Sequence, residues 1–393
     1  MTTLSSDSAS NAPVLVVGAY APSLINFRGD LLRALAVRCA VVAASEPADA
    51  AVLHCLQADG IAHQAYPVAR NSTNPLADLQ TLKGLRRLIA TVRPAVVLAY
   101  TVKPIIWGGL ALRLQPRSMR RVRFVALVTG LGYSFESRAG WRRYLQALVV
   151  GLYRLSLRRA DAVVFQNRDN RDEFIRRRLV PRERAHVVAG SGIDVQRFAF
   201  SPISTPESGR LRFLLIARLL GEKGIREYAE AARKVRTRFP DSQFDLIGPL
   251  DPSPDGLSAY EVGSWPDVNY LGSMDDVRPA ICACHVYVLP SYHEGMPRTV
   301  LEAMAIGRPI LTTDVSGCRE TVEPGRNGWL VGKANADDLA ERMIWFIENP
   351  DCLPDMGKVS RQLAEDRFDV HKVNADMLRI MCIADGEQRV AEC

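Results

Sequence analysis

The 393-residue chain lacks any run of about 18 uncharged apolar residues, so no segment reads as a bilayer-spanning helix; its longest apolar runs break at Lys103 and Arg154. The opening MTTLSSDSASNAP has neither a basic nor an apolar stretch, so it reads as neither a signal nor a transit peptide, and 1–12 is expected to be a disordered tail. Cysteine is sparse, with eight residues and no CxxC pair, and Cys282 and Cys284 are too close for the usual zinc knuckle. Reduced thiols in a cytosolic protein are the expectation. Hydrophobic residues at 48% and charged residues at 24% exclude disordered, collagen-like and coiled-coil chains. At about 100–200 residues per domain, the length predicts two domains.

Lysine is missing from one long stretch. Arg113 to Arg184 holds 18 Arg, no Lys and six acidic residues, while the whole chain is only +7, so the remainder is mildly acidic. Such a block suits an anionic partner on one side, and a solvated basic face is the plainer alternative. No RRM or zinc-finger pattern accompanies it, so nucleic acid is not an expected partner. On a helical wheel Trp141, Tyr144, Leu145, Leu148, Val149, Leu152 and Leu155 fall within about 140°, with Arg142, Arg143, Arg154 and Arg158 opposite. A basic amphipathic segment over 138–159 suits a membrane interface, and equally a helix packed on its own sheet.

Short apolar runs alternate with helical patterns. Strands are predicted at Val14–Gly18, Ala40–Ala44, Val96–Tyr100, Phe124–Val128, Ala162–Phe165 and His186–Ala189. They recur at Phe213–Ala217, Phe244–Ile247, Val286–Leu289, Pro309–Thr312 and Trp329–Val331. Continuous apolar strands alternating with helices predict parallel sheets covered on both faces. FAFSPISTPESG, at 198–209, reads as a linker between two doubly wound, Rossmann-like domains at 13–197 and 210–365. Ligands of such sheets bind outside the carboxyl ends of the strands, and two facing domains make a cleft for a two-substrate transfer.

The segment LRFLLIARLLGEKGI places Arg218 and Lys223 between a strand and a helix start, which suits a diphosphate. In VLPSYHEGMPRTVLEAMAIGRPI, Glu294 sits in a loop and Glu302 follows eight residues later on a helix. Free N–H groups near Met296–Thr299 would receive an anion. Glu302 suits paired ribose hydroxyls, with a capping or solvent-facing role as the alternative. Glu294 suits sugar hydroxyls and positive charge at an anomeric carbon.

These motifs resemble family 4 of the retaining glycosyltransferases, which adopt the GT-B fold. The resemblance rests on EGMPRTVLEAMAIGRPI, ARLLGEKG, GIDVQRF, NYLGSMDD, TTDVSGCRETV and NGWLV, in the family's order and spacing. It implies that Arg218 and Lys223 bind the nucleotide diphosphate, Glu302 the ribose, Glu294 the donor sugar, and the backbone around Leu271 the base. Gly295, Met296, Pro297, Arg298 and Thr299 would contact sugar and phosphate. It also implies retention and transfer without a metal or other cofactor, in keeping with the absence of an Asp-x-Asp pair in a donor loop; leaving-group charge then falls to cations and helix N–H groups. The C-terminal helices, 366–393, would cross back onto the first domain.

The first half matches more loosely. GAYAPSLINFRGDLL is not a GxGxxG fingerprint, which counts against an NAD-dependent oxidoreductase. Gly18 would admit donor phosphates closely and Arg28 would reach an anionic acceptor. Lys103 and the strand-end loop from Thr129 and Gly130 to Gly132 would face the cleft. The strand ending at Thr129 lacks the His that many family members carry, and His293 reads as a loop residue. The branch resembled builds bacterial surface polysaccharides and lipid-linked oligosaccharides. It implies a UDP-sugar donor, an undecaprenyl-diphosphate-linked acceptor, and a cytoplasmic enzyme peripheral to the inner membrane. A nucleotide-sugar epimerase on the same fold and a non-catalytic partner of a polysaccharide synthase are the alternatives.

Overall fold

The computed structural model describes residues 12–70, 74–116, 121–130, 142–204 and 210–383, with side chains of the helix Arg142–Leu157 described from 147 onward. The chain divides into two compact units, Met1–Ser191 with Val373–Cys393, and Gly192–Lys372. Each is a parallel sheet covered by helices, the Rossmann-like architecture expected.

The first unit's strands are β1 (Val14–Val17), β2 (Val41–Ser45), β3 (Ala62–Ala65), β4 (Val96–Tyr100), β5 (Arg123–Val128), β6 (Ala162–Phe165) and β7 (Ala185–Val187), in the order β3-β2-β1-β4-β5-β6-β7. Successive residues of a strand face opposite sides of the sheet. Leu15, Val17, Val97 and Ala99 therefore pack with Leu85, Ile89, Ile105 and Tyr153. Val14, Val16, Val96 and Leu98 pack with Leu24, Leu32, Met377 and Leu378 on the other face.

The second unit contains β8 (Arg212–Ile216), β9 (Gln243–Ile247), β10 (Asn269–Tyr270), β11 (Val286–Leu289), β12 (Ile310–Thr313) and β13 (Gly328–Val331), in the order β10-β9-β8-β11-β12-β13. Its core joins Phe213, Leu215, Val286 and Val288 to Tyr228 and Phe346 from the helices Ile225–Arg238 and Ala336–Glu348.

Two strands were not predicted, β3 and β10, and both are edges. Three of the four β3 residues are exposed, and β10 is only two residues long, so neither presents an apolar run. The division between units falls after Ser191, earlier than the 198–209 stretch expected as linker. Two arginines explain this. Arg361 Nη1 donates to the carbonyls of Val195, Phe198 and Ala305 at 2.9, 2.9 and 2.7 Å. Arg308, fully buried, donates to Ser201, Ile281 and Cys282 carbonyls at 3.0, 2.9 and 3.2 Å. The segment 192–204 is thereby fastened into the second unit; 205–209 lie outside the described residues. The chain rejoins the first unit at Val373, within the helix Val370–Met381, whose Val373, Met377, Leu378 and Met381 enter its core. Residues 384–393 and 1–11 lie outside the described residues.

The helix Arg142–Leu157 turns a different face inward from the wheel's apolar arc. Tyr153 and Leu157 are buried and Val149 and Leu152 pack partly, while Leu148 and Leu155 are exposed. Tyr153 sets this orientation, its ring meeting Phe174 edge-on at 5.4 Å. Trp141 and the side chains of Arg142, Arg143, Tyr144 and Leu145 lie outside the described residues, as do 138–140. Among the described residues no helix is long and apolar enough to cross a membrane.

Replacing Arg308 tests the fastening of 192–204. Arg308→Ala removes three charge-assisted hydrogen bonds and strands buried carbonyls, so unfolding free energy in urea falls by about 3 kcal/mol. Arg308→Lys recovers less than half of that, because an ammonium cannot reproduce the planar fork.

Candidate active site

In the second sheet β8 lies beside β11, although β9 and β10 come between them in sequence. The strand order reverses at this pair, and ligands of parallel α/β sheets sit outside the carboxyl ends of the strands at such a reversal. The β8 loop carries Arg218 and Lys223, and the β11 loop carries Glu294.

Lys223 Nζ lies 2.6 Å from Glu294 Oε1, with the two side chains 15% and 16% exposed. Ser291 Oγ donates to the same carboxylate oxygen at 2.9 Å. Burial alone lowers the Lys223 pKa, but the contact with Glu294 outweighs it and holds the ammonium above its ordinary value. Cys318, buried nearby, is pushed up to about 12 by desolvation and then by the Glu294 charge, so it stays a thiol.

Two glycines allow the loops to meet. Gly224 has φ +71°, and a Cβ there would lie 2.1 Å from the Pro290 carbonyl oxygen. Gly317 has φ +80°, and its Cβ would lie 2.5 Å from the Gly295 carbonyl. No other residue tolerates both the left-handed backbone and the approach. The Tyr292 N–H donates to the Glu222 carbonyl at 2.8 Å, stitching the β8 and β11 loops.

Arg218 is half exposed and pairs with Asp251 at 2.7 Å. A hydrogen bond from Ser253, followed by Arg218, holds Asp251 below its ordinary carboxylate value. The charge of Arg218 is felt at Lys223, so the two cations are neighbours, each resting on a carboxylate.

The helix Arg298–Ile306 starts directly after Pro297, and no side chain caps it. The Val300 and Leu301 amides turn back to the Pro297 carbonyl, leaving the first turn with its dipole uncompensated by a side chain. Gly295 and Met296 are half-buried on the approach to this terminus, and Arg298 and Thr299 open it. Glu302 follows one turn in, 8% exposed, accepting from Arg298 Nε at 3.2 Å. Burial raises its pKa above the ordinary value against the pull of Arg298. Leu271 follows β10, its N–H donating to the Leu246 carbonyl at 2.9 Å.

Asp251, Ser291, Glu222 and Glu227 were not found from sequence. Asp251 follows the end of β9 in a proline-rich DPSPD turn, and that strand-end position was the available signal. Nothing distinguishes the others. His293 Nε2 lies 3.3 Å from Glu222, and Tyr292 donates to Glu227 at 2.5 Å, so both brace the loop.

The first sheet reverses between β1 and β4. Gly18 follows β1, and a Cβ there would lie 2.2 Å from the Tyr100 hydroxyl, so its missing side chain makes room for Tyr100. Arg28 is 4% exposed, donates to Ser191 Oγ at 3.1 Å and stands 5.3 Å over the Tyr100 ring. Lys103 pairs with Asp78 at 2.8 Å and donates to the Ala69 carbonyl. Thr101, directly after β4, has φ +68°, a strained conformation for a β-branched residue and one that clusters at functional sites. Thr129 and Gly130 follow β5 and are half-buried, while the loop from 131 to 141 lies outside the described residues.

The raised Glu302 pKa has a testable sign. Its protonated form is favoured by folding, so its contribution is complete below the ordinary value of 4.5 and is lost as pH rises through the folded value. Glu302→Gln removes that loss. Urea midpoints of variant and parent are expected to agree near about pH 4 and to separate in the variant's favour toward neutral pH.

Two family profiles match the chain. One, described as Glycosyltransferase Family 4, covers residues 29–197, and another, Glycosyl transferases group 1, covers 210–349. The chain is 29% identical over 353 residues to the N,N'-diacetylbacillosaminyl-diphospho-undecaprenol alpha-1,3-N-acetylgalactosaminyltransferase of Campylobacter jejuni, covering 86% of this chain and 90% of that one. It is 23% identical to the Escherichia coli UDP-Gal:alpha-D-GlcNAc-diphosphoundecaprenol alpha-1,3-galactosyltransferase, covering 78% and 80%. Among solved structures, Anabaena HepE in complex with UDP and glucose superposes with a TM-score of 0.73 at 18% identity, covering 94% and 99%, which speaks for the fold. With both sheets parallel and Rossmann-like and the profiles spanning both halves, the chain belongs to the family 4 glycosyltransferases of the GT-B fold.

Proposed function

We propose that this glycosyltransferase is retaining and metal-independent, and that it moves a hexosyl or N-acetylhexosaminyl group from a UDP-sugar to an undecaprenyl-diphosphate-linked saccharide. The setting would be the cytoplasmic face of the inner membrane, in surface-polysaccharide or glycan assembly. The names of the Campylobacter and Escherichia relatives support the acceptor class. The exposed Leu148 and Leu155, beside Arg154 and Arg158, support a membrane contact.

The observation that carries the donor reading is the Lys223–Glu294 contact, 2.6 Å long, at the strand reversal beside an uncapped helix terminus. In this reading Lys223 and Arg218 exchange their carboxylate partners for diphosphate oxygens, and the amides of Gly295–Thr299 take the remaining charge. Glu302 holds the ribose hydroxyls, and the backbone at Leu271 meets the base. Glu294, released from Lys223, holds the donor sugar. The acceptor hydroxyl attacks the anomeric carbon on the face from which the diphosphate departs. The bond to the diphosphate oxygen breaks, and that oxygen receives the hydroxyl proton. Charge on the leaving oxygen is met by fixed cations and dipoles, an electrostatic means of lowering the barrier. Gly18, Arg28, Lys103, Thr129 and Gly130 belong to the acceptor side, with Arg28, buried as it is, positioning rather than touching.

A panel of UDP- and GDP-sugars, with and without an undecaprenyl-diphosphate-linked saccharide, tests this. Transfer is expected from a UDP-sugar only when the acceptor is present, and unchanged in EDTA. Lys223→Ala and Glu294→Ala each lower turnover by about 10²–10³ while remaining folded. Donor turnover without acceptor would instead indicate epimerisation, and normal rates in both variants would remove the site assignment.

A further inference from the structure

The first unit holds an open cavity of about 410 Å³ at its surface, between β3 and the helix Pro75–Val92, with the Gln64, Gln80, Lys83 and Arg87 side chains exposed along it and no role given to them by the donor and acceptor readings. Its volume falls within the range of small-molecule sites, about 300–1,000 Å³. Tyr66 lines it. The ring is 3% exposed and immobilised by its hydroxyl, which donates to the Gly18 carbonyl at 2.7 Å, so this wall is preformed. Lys83 and Arg87 line the helical side, one turn apart, and neither has a carboxylate partner among the described residues. Gln64 and Gln80 add amide groups that both donate and accept.

The helix is unfavourable to itself at this point in two respects. Like charges at i and i+4 repel. Gly84, also in the lining, is a helix-interior glycine, which lowers helix propensity. Gly84 has a packing reason, since a Cβ there would lie 2.6 Å from the Pro67 ring. Its absence lets the helix close on Pro67 and bound the cavity. The paired cations have no such structural reason, whereas an anion between them would relieve their repulsion.

We propose that this cavity is a second ligand site, taking a saccharide that bears a phosphate or carboxylate. Lys83 and Arg87 hold the anionic group, the Gln64 and Gln80 amides hold sugar hydroxyls, and Tyr66 backs the ring. The same chemistry comes from a free sugar phosphate or from an acidic residue of a glycan chain, and the experiment separates them.

The full-length protein, with excess UDP to occupy any nucleotide site, is titrated calorimetrically with glucose 1-phosphate, with methyl glucuronide and with glucose. At least one of the two anions is expected to saturate with a Kd of about 1 mM or tighter, and glucose to bind about tenfold more weakly or not at all. Binding of the phosphate alone indicates a free sugar phosphate, and binding of the glucuronide indicates a glycan residue. The double variant Lys83→Gln with Arg87→Gln weakens the anion by about tenfold or more while its melting temperature does not fall and its UDP affinity stays unchanged. Failure of both anions to saturate, equal affinity of glucose, or undiminished affinity of the double variant overturns the proposal. So does the outcome in which Lys83 and Arg87 matter only for flotation with anionic vesicles, which would make them a membrane contact instead.

Discussion

Lys223 and Glu294 are 71 positions apart and meet at 2.6 Å because the sheet places β8 directly beside β11. Much of the second unit's local design follows from this contact. The loops after β8 and β12 both close on the β11 loop, which requires Gly224 and Gly317 where any side chain would strike a carbonyl. The Ser291 hydroxyl and the Tyr292 amide then hold the convergence in place. A mostly buried ion pair is a poor device for stability, because desolvating both charges consumes most of their attraction. In the donor reading proposed above the pair is storage, each charge kept partnered until a ligand offers a replacement. Arg218 on Asp251 repeats the arrangement at a more exposed position, where exchange with an incoming anion is easier.

The helix Arg298–Ile306 completes the charge pattern without a formal charge of its own. Its terminus has no capping side chain, although an Asp, Ser or Thr at that position would be more stable by about 1 kcal/mol. Pro297 fixes the entry of the chain, with φ −75° at the N-cap. Glu302, one turn further on, is held in a medium that disfavours its ionised form. A carboxylate under that penalty gains more from hydroxyl donors than a solvated one, because hydrogen bonds strengthen as the local dielectric falls. Burial and the empty cap thus act together, one preparing an acceptor of hydrogen bonds and the other a donor, about a helical turn apart.

The central strands were legible because their residues are apolar on both faces, and the places of Arg218, Lys223 and Glu294 were legible because these residues follow those strands. VVLAY at β4 and VYVL at β11 are buried throughout and admit few other readings. β3, with AHQA, has no such constraint, since an edge strand with a solvated side need not be apolar. The 192–204 segment was opaque for a different reason. Its composition is that of a linker, but the guanidinium groups holding it come from Arg308 and Arg361, 107 and 166 positions away from the carbonyls of Ser201 and Val195. Asp251 and Ser291 were hidden similarly, because a residue that matters through one contact leaves no periodic trace. The wheel drawn on 141–159 left a membrane face and a sheet-packed face both open, because hydrophobicity alone does not say where the sheet lies. Tyr153, outside the apolar arc, is the residue that packs.

That last case changes what the arginine-rich stretch means. Several of its cations are spent on the fold: Arg159 on the Asp161 carboxylate and the Val122 carbonyl, Arg154 on the Arg177 carbonyl, Arg184 on the Ala160 carbonyl and Arg123 on the Ile380 carbonyl. Guanidinium groups reach carbonyls at helix and strand ends with a planar fork, a use for which Arg is better suited than Lys. Bonding to a neutral carbonyl does not cancel a charge, however. The long-range field of the block survives even where the groups themselves are tied down. The stretch therefore joins two functions that composition alone cannot separate, bracing the edge of the first sheet and presenting a positive surface beside Leu148 and Leu155. Fixed cations lose little side-chain entropy on meeting an anionic surface, so a braced arginine is a better surface charge than a free one.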